Sequence, residues 1–272
     1  MSDRFAVSSI AWQPGEAAEV LRTMQAEHVT GLEIAPTTIW ANPTRIGMAT
    51  AAAARRRWAD QGFQVVAFQA LLYGRPDLRI FGDATSRRRL ERHLGRMARL
   101  AGWVGAPVMV FGSPRNRATD GRARAEVDEI ATGFFRSVAR AASDHGTSLC
   151  VEPNPPQYGT DFVTTIRAAL ELVATVDEPG FGIHIDTGAA LLEGPSCSDD
   201  LIAAAALARH VHLSEPALVE FGTSGKDHEW IAAALRQANY AGWRSIEMTT
   251  DPSQPSAPRV RRALVAARRM YG

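Results

Sequence analysis

Residues 148–186 read SLCVEPNPPQYGTDFVTTIRAALELVATVDEPGFGIHID. Two short runs rich in apolar and β-branched residues, Ser148–Glu152 and Gly182–Asp186, bracket a longer stretch, Asp161–Val176, whose apolar residues recur at helical spacing. A strand, a helix and a second strand in that order form a crossover unit, which joins parallel strands. The same alternation runs outward in both directions. Upstream lie the strand candidates Phe5–Trp12, Gly31–Ala35, Gln64–Leu71 and Pro107–Gly112; downstream lie His210–Ser214 and Arg244–Met248. Helical stretches include Glu16–Glu27, Ser86–Ala101, Arg124–Asp144 and Pro258–Met270.

Eight such β-α pairs in 272 residues, with no Gly/Ser- or Pro-rich linker between them, predict an α/β chain forming one domain over 1–272, a (β/α)8 TIM barrel. An open doubly wound sheet usually carries a glycine-rich phosphate loop after its first strand, and Ala11-Trp12-Gln13-Pro14-Gly15 does not supply one. Composition narrows the function classes. Lys+Arg at 30 against Asp+Glu at 29 leaves a formal charge of +1, without the basic field that non-specific nucleic-acid binding needs. Arg55-Arg56-Arg57 and Arg87-Arg88-Arg89 fall in helical contexts and read as solvated outer faces. Cys150 and Cys197 are too few for a disulfide scaffold and lack metal-pair spacing, which fits a reducing cytosol. Neither a signal-like N-terminus nor a membrane-length apolar run is present. The expectation is a cytoplasmic protein with a small-molecule partner, no nucleic acid and no membrane; homo-oligomerisation is left open.

Side chains on a barrel strand alternate between the interior and the helices, so parity decides which polar residues point inward. In Ser148–Glu152 the apolar Leu149 and Val151 take the outward parity, which turns Glu152 inward at the strand's end. Ile183 and Ile185 do the same for Asp186, with His184 one layer below; His210, His212 and Ser214 share the inward parity, as does Glu247 beside Ile246 and Met248. Glu152, Asp186, His212 and Glu247 thus meet at the C-terminal mouth, where TIM-barrel active sites are built. Two carboxylates 4 Å apart repel by about 4 kcal/mol at an effective dielectric near 20. A divalent cation removes that conflict. Three oxygen ligands and one nitrogen suit Mn²⁺ first, with Mg²⁺ or Co²⁺ as alternatives, and leave positions open for substrate.

Val151-Glu152-Pro153-Asn154-Pro155, Ile185-Asp186-Thr187-Gly188, His210-Val211-His212-Leu213-Ser214-Glu215 and Ser245-Ile246-Glu247-Met248 occur in an order and spacing that resemble the xylose-isomerase-like TIM barrels. The likeness is to the sugar phosphate isomerase/epimerase group, which includes ketose 3-epimerases and hydroxypyruvate isomerases. The resemblance implies that Glu152, Asp186, His212 and Glu247 are the metal ligands, with His210 supporting them from a deeper layer, where parity also puts His184. It also implies a reaction: Glu152 and Glu247 face opposite sides of a carbon next to a carbonyl, one removing its proton to give a metal-stabilised enediolate and the other returning it. A metal-dependent dehydratase would share the first half of that reaction, and a metal-bound partner subunit without activity would share only the site. The three-zinc endonucleases of the same superfamily need further histidines, which Ala67-Phe68-Gln69 and Val110-Phe111-Gly112 do not offer.

The chain departs from the 3-epimerases where they touch free ketoses. Their histidine after the strand-six aspartate falls in Thr187-Gly188-Ala189-Ala190, their arginine after the strand-seven glutamate falls in Pro216-Ala217-Leu218, and their glutamate six residues after the strand-five ligand is Tyr158. An apolar rim with Trp12 and Tyr158 as flat walls is expected, favouring a derivatised sugar or cyclitol over a free hexose. Gln69 and Glu33 at strand ends, Arg115 after strand four and His228 at a helix start complete the expected substrate contacts. Each also has a plain alternative: a loop anchor for Gln69, an internal charge partner for Glu33, a surface ion pair for Arg115 and helix entry for His228.

Overall fold

A computed structural model describes residues 4–272, so the first three residues of the expected 1–272 domain lie outside the described residues. Eight parallel strands, β1 Phe5–Ser8, β2 Gly31–Ile34, β3 Gln64–Phe68, β4 Val108–Phe111, β5 Ser148–Val151, β6 Phe181–Asp186, β7 Ala208–Leu213 and β8 Arg244–Ile246, pair in chain order, and β8 closes on β1. Helices Ala17–Ala26, Met48–Asp60, Ala84–Val104, Arg124–Ser143, Ile166–Val176, Ser198–Leu207, Glu229–Gln237 and Ser256–Tyr271 follow the strands in turn and form the outer ring. This is a single (β/α)8 TIM barrel. No described helix is long and apolar enough to cross a membrane.

Parity sorts the core into two layers. Leu149, Val151, Ile183, Ile185, Val211 and Leu213 point outward and are buried against the helices, each such side chain contributing about 1.5–3 kcal/mol. Inside the barrel, Ala6, Val66, Ala67, Val108, Val110 and Cys150 make an apolar cluster. Glu33, His184, His210, His212 and Ser245 are also buried within the barrel and give it a polar upper layer. The register sets their neighbours: Asp186 lies opposite His212, His212 opposite Ser245, and Ser8 opposite Glu33.

Several elements end earlier than alternation implies. The strand expected over Phe5–Trp12 stops at Ser8 and turns into a 3-10 helix, Ser9–Ala11, because the Ser8 hydroxyl accepts from the Ile10 amide. The one expected over Gln64–Leu71 stops at Phe68, and Ala70 takes a positive φ of 50°. The helix expected from Asp161 starts at Ile166: Asp161 instead accepts from the Thr119 amide at 2.7 Å, and Thr165 caps the helix by accepting from the Ala168 amide at 3.1 Å. Glu152 and Glu247 stand one residue beyond β5 and β8. Their amides still donate to Phe111 and Leu213 carbonyls, which continues the ladder and preserves the inward parity.

Candidate metal centre

His212 is the pivot of the site. Its Nε2 lies 2.9 Å from Glu33 Oε1, and the other Glu33 oxygen accepts from the Ser245 hydroxyl at 2.6 Å. An N–H on Nε2 donating to Glu33 leaves Nδ1 facing the mouth, where it has no hydrogen-bond partner within the described residues. There it stands 3.1 Å from Glu247 Oε2, 3.5 Å from Glu152 Oε1 and 4.0 Å from Asp186 Oδ2. A carboxylate behind a ligating imidazole is the usual device that fixes tautomer and raises ligand basicity.

The three carboxylates are themselves held. The Asn154 amide donates to Glu152 Oε2 at 2.8 Å, the Ser214 hydroxyl donates to Asp186 Oδ2 at 2.5 Å, and the Ala189 amide donates to Asp186 Oδ1 at 2.6 Å. That last bond makes Asp186 the N-cap of a short helix, Thr187–Glu193, so one residue serves both cap and cluster. Arg117, entirely buried, donates from Nη2 to the Glu152 carbonyl at 2.7 Å and places a cation beside that glutamate.

Charge balance shows what the cluster lacks. Burial pushes the Asp186 carboxyl up to about 7, reinforced by the negative charges of Glu152 and Glu247. Burial alone opposes a charged His212, but Glu247 and Glu33 outweigh it and raise the imidazole well above its ordinary range. Glu152 goes the other way: burial favours the acid, and the neighbouring His184 and His212 imidazoles overcome it. Glu33 is likewise lowered, burial being outweighed by His212 and His210. His184 stays neutral, pulled down to about 3 by burial and the nearby His212 cation. Protons on His212 and Asp186 therefore do the neutralising that a cation between the four groups would do.

Three sets of donors lie close enough to share an ion: Glu33, His210 and His212; Glu152, His184 and His212; and Glu152, Asp186, His212 and Glu247, whose ligand atoms all lie within 4.8 Å of one another. The first set is wholly buried. The four-residue set differs because Glu152, Asp186 and Glu247 line a cavity of about 310 Å³ at the mouth, so its open positions face incoming substrate. Three oxygens and an unpartnered imidazole nitrogen fit a divalent cation.

The remaining expected contacts divide. Tyr158 lines this cavity, and its hydroxyl accepts from the Ala217 amide at 3.2 Å. Trp12 lines a different cavity, beside β1 and β2, so the two aromatic walls expected to share one rim do not. Glu33 lies below the cluster with no exposed surface; its role as internal charge partner replaces the expected substrate contact, because His212, His210 and Ser245 use its oxygens. Gln69 is buried, donating to the Ser8 hydroxyl at 2.5 Å. Arg115 is exposed and packs against Gly159 rather than lining the cavity. His228 is buried, with Nδ1 2.7 Å from the Tyr271 hydroxyl and Nε2 3.2 Å from Glu215, so it supports Glu215 from behind. Glu215 itself lines the cavity, as do Pro114, Asn154, Ala189, Ala217 and Leu218. Sequence reading assigns no role to Asn154, Arg117 or Glu215; Asn154 and Glu215 fall within the motifs that carry the resemblance, and Arg117 has only its place beyond a strand end as a signal.

Comparison with known proteins agrees with this architecture. The family profile described as xylose isomerase-like TIM barrel matches residues 21–270. A ketose 3-epimerase from Arthrobacter globiformis is 30% identical over 105 residues, which span 39% of this chain and 36% of that protein. A D-psicose 3-epimerase crystallised in the presence of D-fructose superposes with a TM-score of 0.81 at 16% identity, covering 99% of both chains. The 3-keto-D-glucoside 4-epimerase YcjR from E. coli gives 0.78 at 19% identity, covering 98% of this chain and 99% of that one. An IolI protein with a bound zinc atom gives 0.78 at 13% identity, covering 98% of each. These structural likenesses speak to the fold, and the profile match over nearly the whole barrel decides the family. The chain belongs to the xylose isomerase-like TIM barrels.

Proposed function

We propose that this protein is a divalent-metal-dependent isomerase or epimerase of a sugar, sugar derivative or cyclitol bearing a carbonyl, with Glu152 and Glu247 as its acid/base pair. One observation carries the reading. Along the arc β5 to β8, Glu152 and Glu247 are the outer members and Asp186 and His212 the inner ones, and both glutamates line the cavity. A substrate seated over the inner pair has a carboxylate on either side. The relatives' names point to the same chemical class, a ketose 3-epimerase and a 3-keto-D-glucoside 4-epimerase.

A divalent ion at Glu152, Asp186, His212 and Glu247, Mn²⁺ being our first choice, would polarise the substrate carbonyl and acidify the neighbouring C–H. The chain's own residues do the rest. Glu152 accepts or returns a proton at its carboxylate from one face and Glu247 from the other, a contribution of about 10²–10⁴ in rate for each positioned group. Asn154 and Arg117 fix the Glu152 side chain and backbone. Pro114, Ala189, Ala217 and Leu218 wall the cavity with apolar surface, which limits the water that reaches the reacting carbon.

The test is hydrogen exchange in deuterated solvent, using ketohexoses, 3-keto-glucosides and inososes with Mn²⁺-loaded protein. Expected is one solvent deuteron at the carbon next to the carbonyl without loss of water, abolished by chelation and restored by metal. Loss of water from the product would reassign the protein as a dehydratase. Tight metal binding with no exchange across the panel would leave it a non-catalytic metal-bound barrel.

A further inference from the structure

A second cavity, of about 500 Å³, opens on the same face of the barrel. It is built by the segments that follow β1, β2 and β3, and it reaches Thr250, three residues beyond Glu247. Since Glu247 lines the first cavity, the segment leaving β8 borders both. Trp12 forms a nearly buried wall at 9% exposure, while Ile39 at 38% and Tyr73 at 75% stand exposed on its rim.

The chemistry of the walls restricts the occupant. Among the described residues, no charged side chain lines this cavity. Much of its polar lining is already used by the protein: the Ser9 hydroxyl accepts from the Ala35 amide at 2.8 Å and from Thr38 at 2.9 Å, and Gln13 donates to the Asp251 carbonyl. A fully hydroxylated or ionic group would lose water there without finding enough partners. An apolar ring would gain contact with two aromatic side chains and bury surface of its own. The first cavity, at about 310 Å³, sits at the small end of the range of ligand pockets, about 300–1,000 Å³, and the second adds more room than the first holds. The concave shape, and the segment leaving β8 that reaches both cavities, favour part of the same ligand over a flat protein contact.

We propose that this second cavity binds an uncharged, ring-bearing substituent of the substrate, so that the substrate is a keto-sugar or keto-cyclitol conjugate whose reacting carbonyl lies at the four-ligand cluster. The identity of the reacting end rests on the proposed function above; the binding of the ring does not.

The experiment is calorimetric titration of the Mn²⁺-loaded protein with phenyl β-D-glucoside and methyl β-D-glucoside, which share the sugar and differ in the ring. Phenyl glucoside is expected to bind at least about tenfold more tightly. That ratio should fall toward one in the double variant Tyr73→Ala, Ile39→Ser, whose positions are exposed and tolerate truncation, and in Trp12→Ala. A phenyl glucoside that binds no better than the methyl one, or not measurably, overturns the proposal, as does a preference that survives all three substitutions. If Tyr73→Ala instead changes the sedimentation of the protein while no phenyl preference exists, the rim is a contact between copies and the subsite is refuted. Deuterium exchange with phenyl 3-keto-β-D-glucoside separates the two readings: ring preference without exchange sinks the proposed chemistry and leaves the subsite standing.

Discussion

His212 is positioned by one ring nitrogen and turns the other toward the carboxylates. Because Glu33 holds Nε2 at 2.9 Å while Ser245 occupies the second Glu33 oxygen, the ring has little freedom to turn its Nδ1 away from the carboxylates. Replacing Glu33 with Gln keeps the size but removes the charge behind the imidazole. Metal affinity should drop about 10–100-fold, read by competition with a chelator of known affinity; unchanged affinity would reduce Glu33 to packing. Glu152→Gln and Glu247→Gln test the other half of the site. An amide oxygen can still coordinate weakly but cannot take a proton, so turnover should fall about 10²–10⁴-fold even in saturating metal. A near-normal rate in either variant removes that residue from the acid/base pair.

At the scale of the elements, the decisive contact lies between the ends of β4 and β5. A Cβ added to Gly112 would sit 2.2 Å from Glu152 Oε2, so the absence of a side chain there is what lets the glutamate occupy its position. Gly112→Ala should displace the Glu152 carboxylate and cut turnover at least about tenfold, and metal content and turnover measured together would show it; full activity would mean the carboxylate has room to move. The same scale shows what could be read in advance. Period-two alternation in Ser148–Glu152 and Gly182–Asp186 was enough to aim Glu152 and Asp186 inward, because outward positions must be apolar to meet the helices. No such period governs the loops, where a backbone turn sets direction. Trp12 was read as the end of a strand and lies instead after a 3-10 helix, which carries it to the second cavity. Asn154 and Glu215 stand inside the quoted motifs without an assigned role, and Arg117 lies outside them; the Glu152 carbonyl and the buried His228 that Arg117 and Glu215 meet come from contacts across the fold that no local pattern encodes. Glu33 sits at an inward position like the four residues of the mouth cluster, and parity does not say that its depth places it beneath them.

For the whole molecule, closing eight strands into a barrel gathers more negative charge at one mouth than the protein can leave ionised. In the metal-free protein the balance is kept by protons, with His212 raised well above its ordinary value and Asp186 raised to about 7. Both protons must leave before those atoms can ligate, so metal uptake and pH are linked. Above about pH 7 Asp186 is already ionised and uptake releases the His212 proton alone. The apparent Kd should then fall about tenfold for each unit rise in pH, up to the His212 value. Below about pH 7 two protons are displaced, and the apparent Kd should rise about a hundredfold for each unit of acidification. Stability follows affinity: metal at a hundred times its Kd stabilises by about 2.7 kcal/mol, and each kcal/mol shifts the thermal midpoint of a domain this size by about 2–4 °C. Melting curves with and without Mn²⁺ should therefore separate by about 5–10 °C at the pH where that excess holds, and converge as the same metal concentration is carried into acid. A separation that stays constant from pH 8 to pH 5 would show that the ion binds without displacing these protons, and would remove Asp186 and His212 from the ligand set.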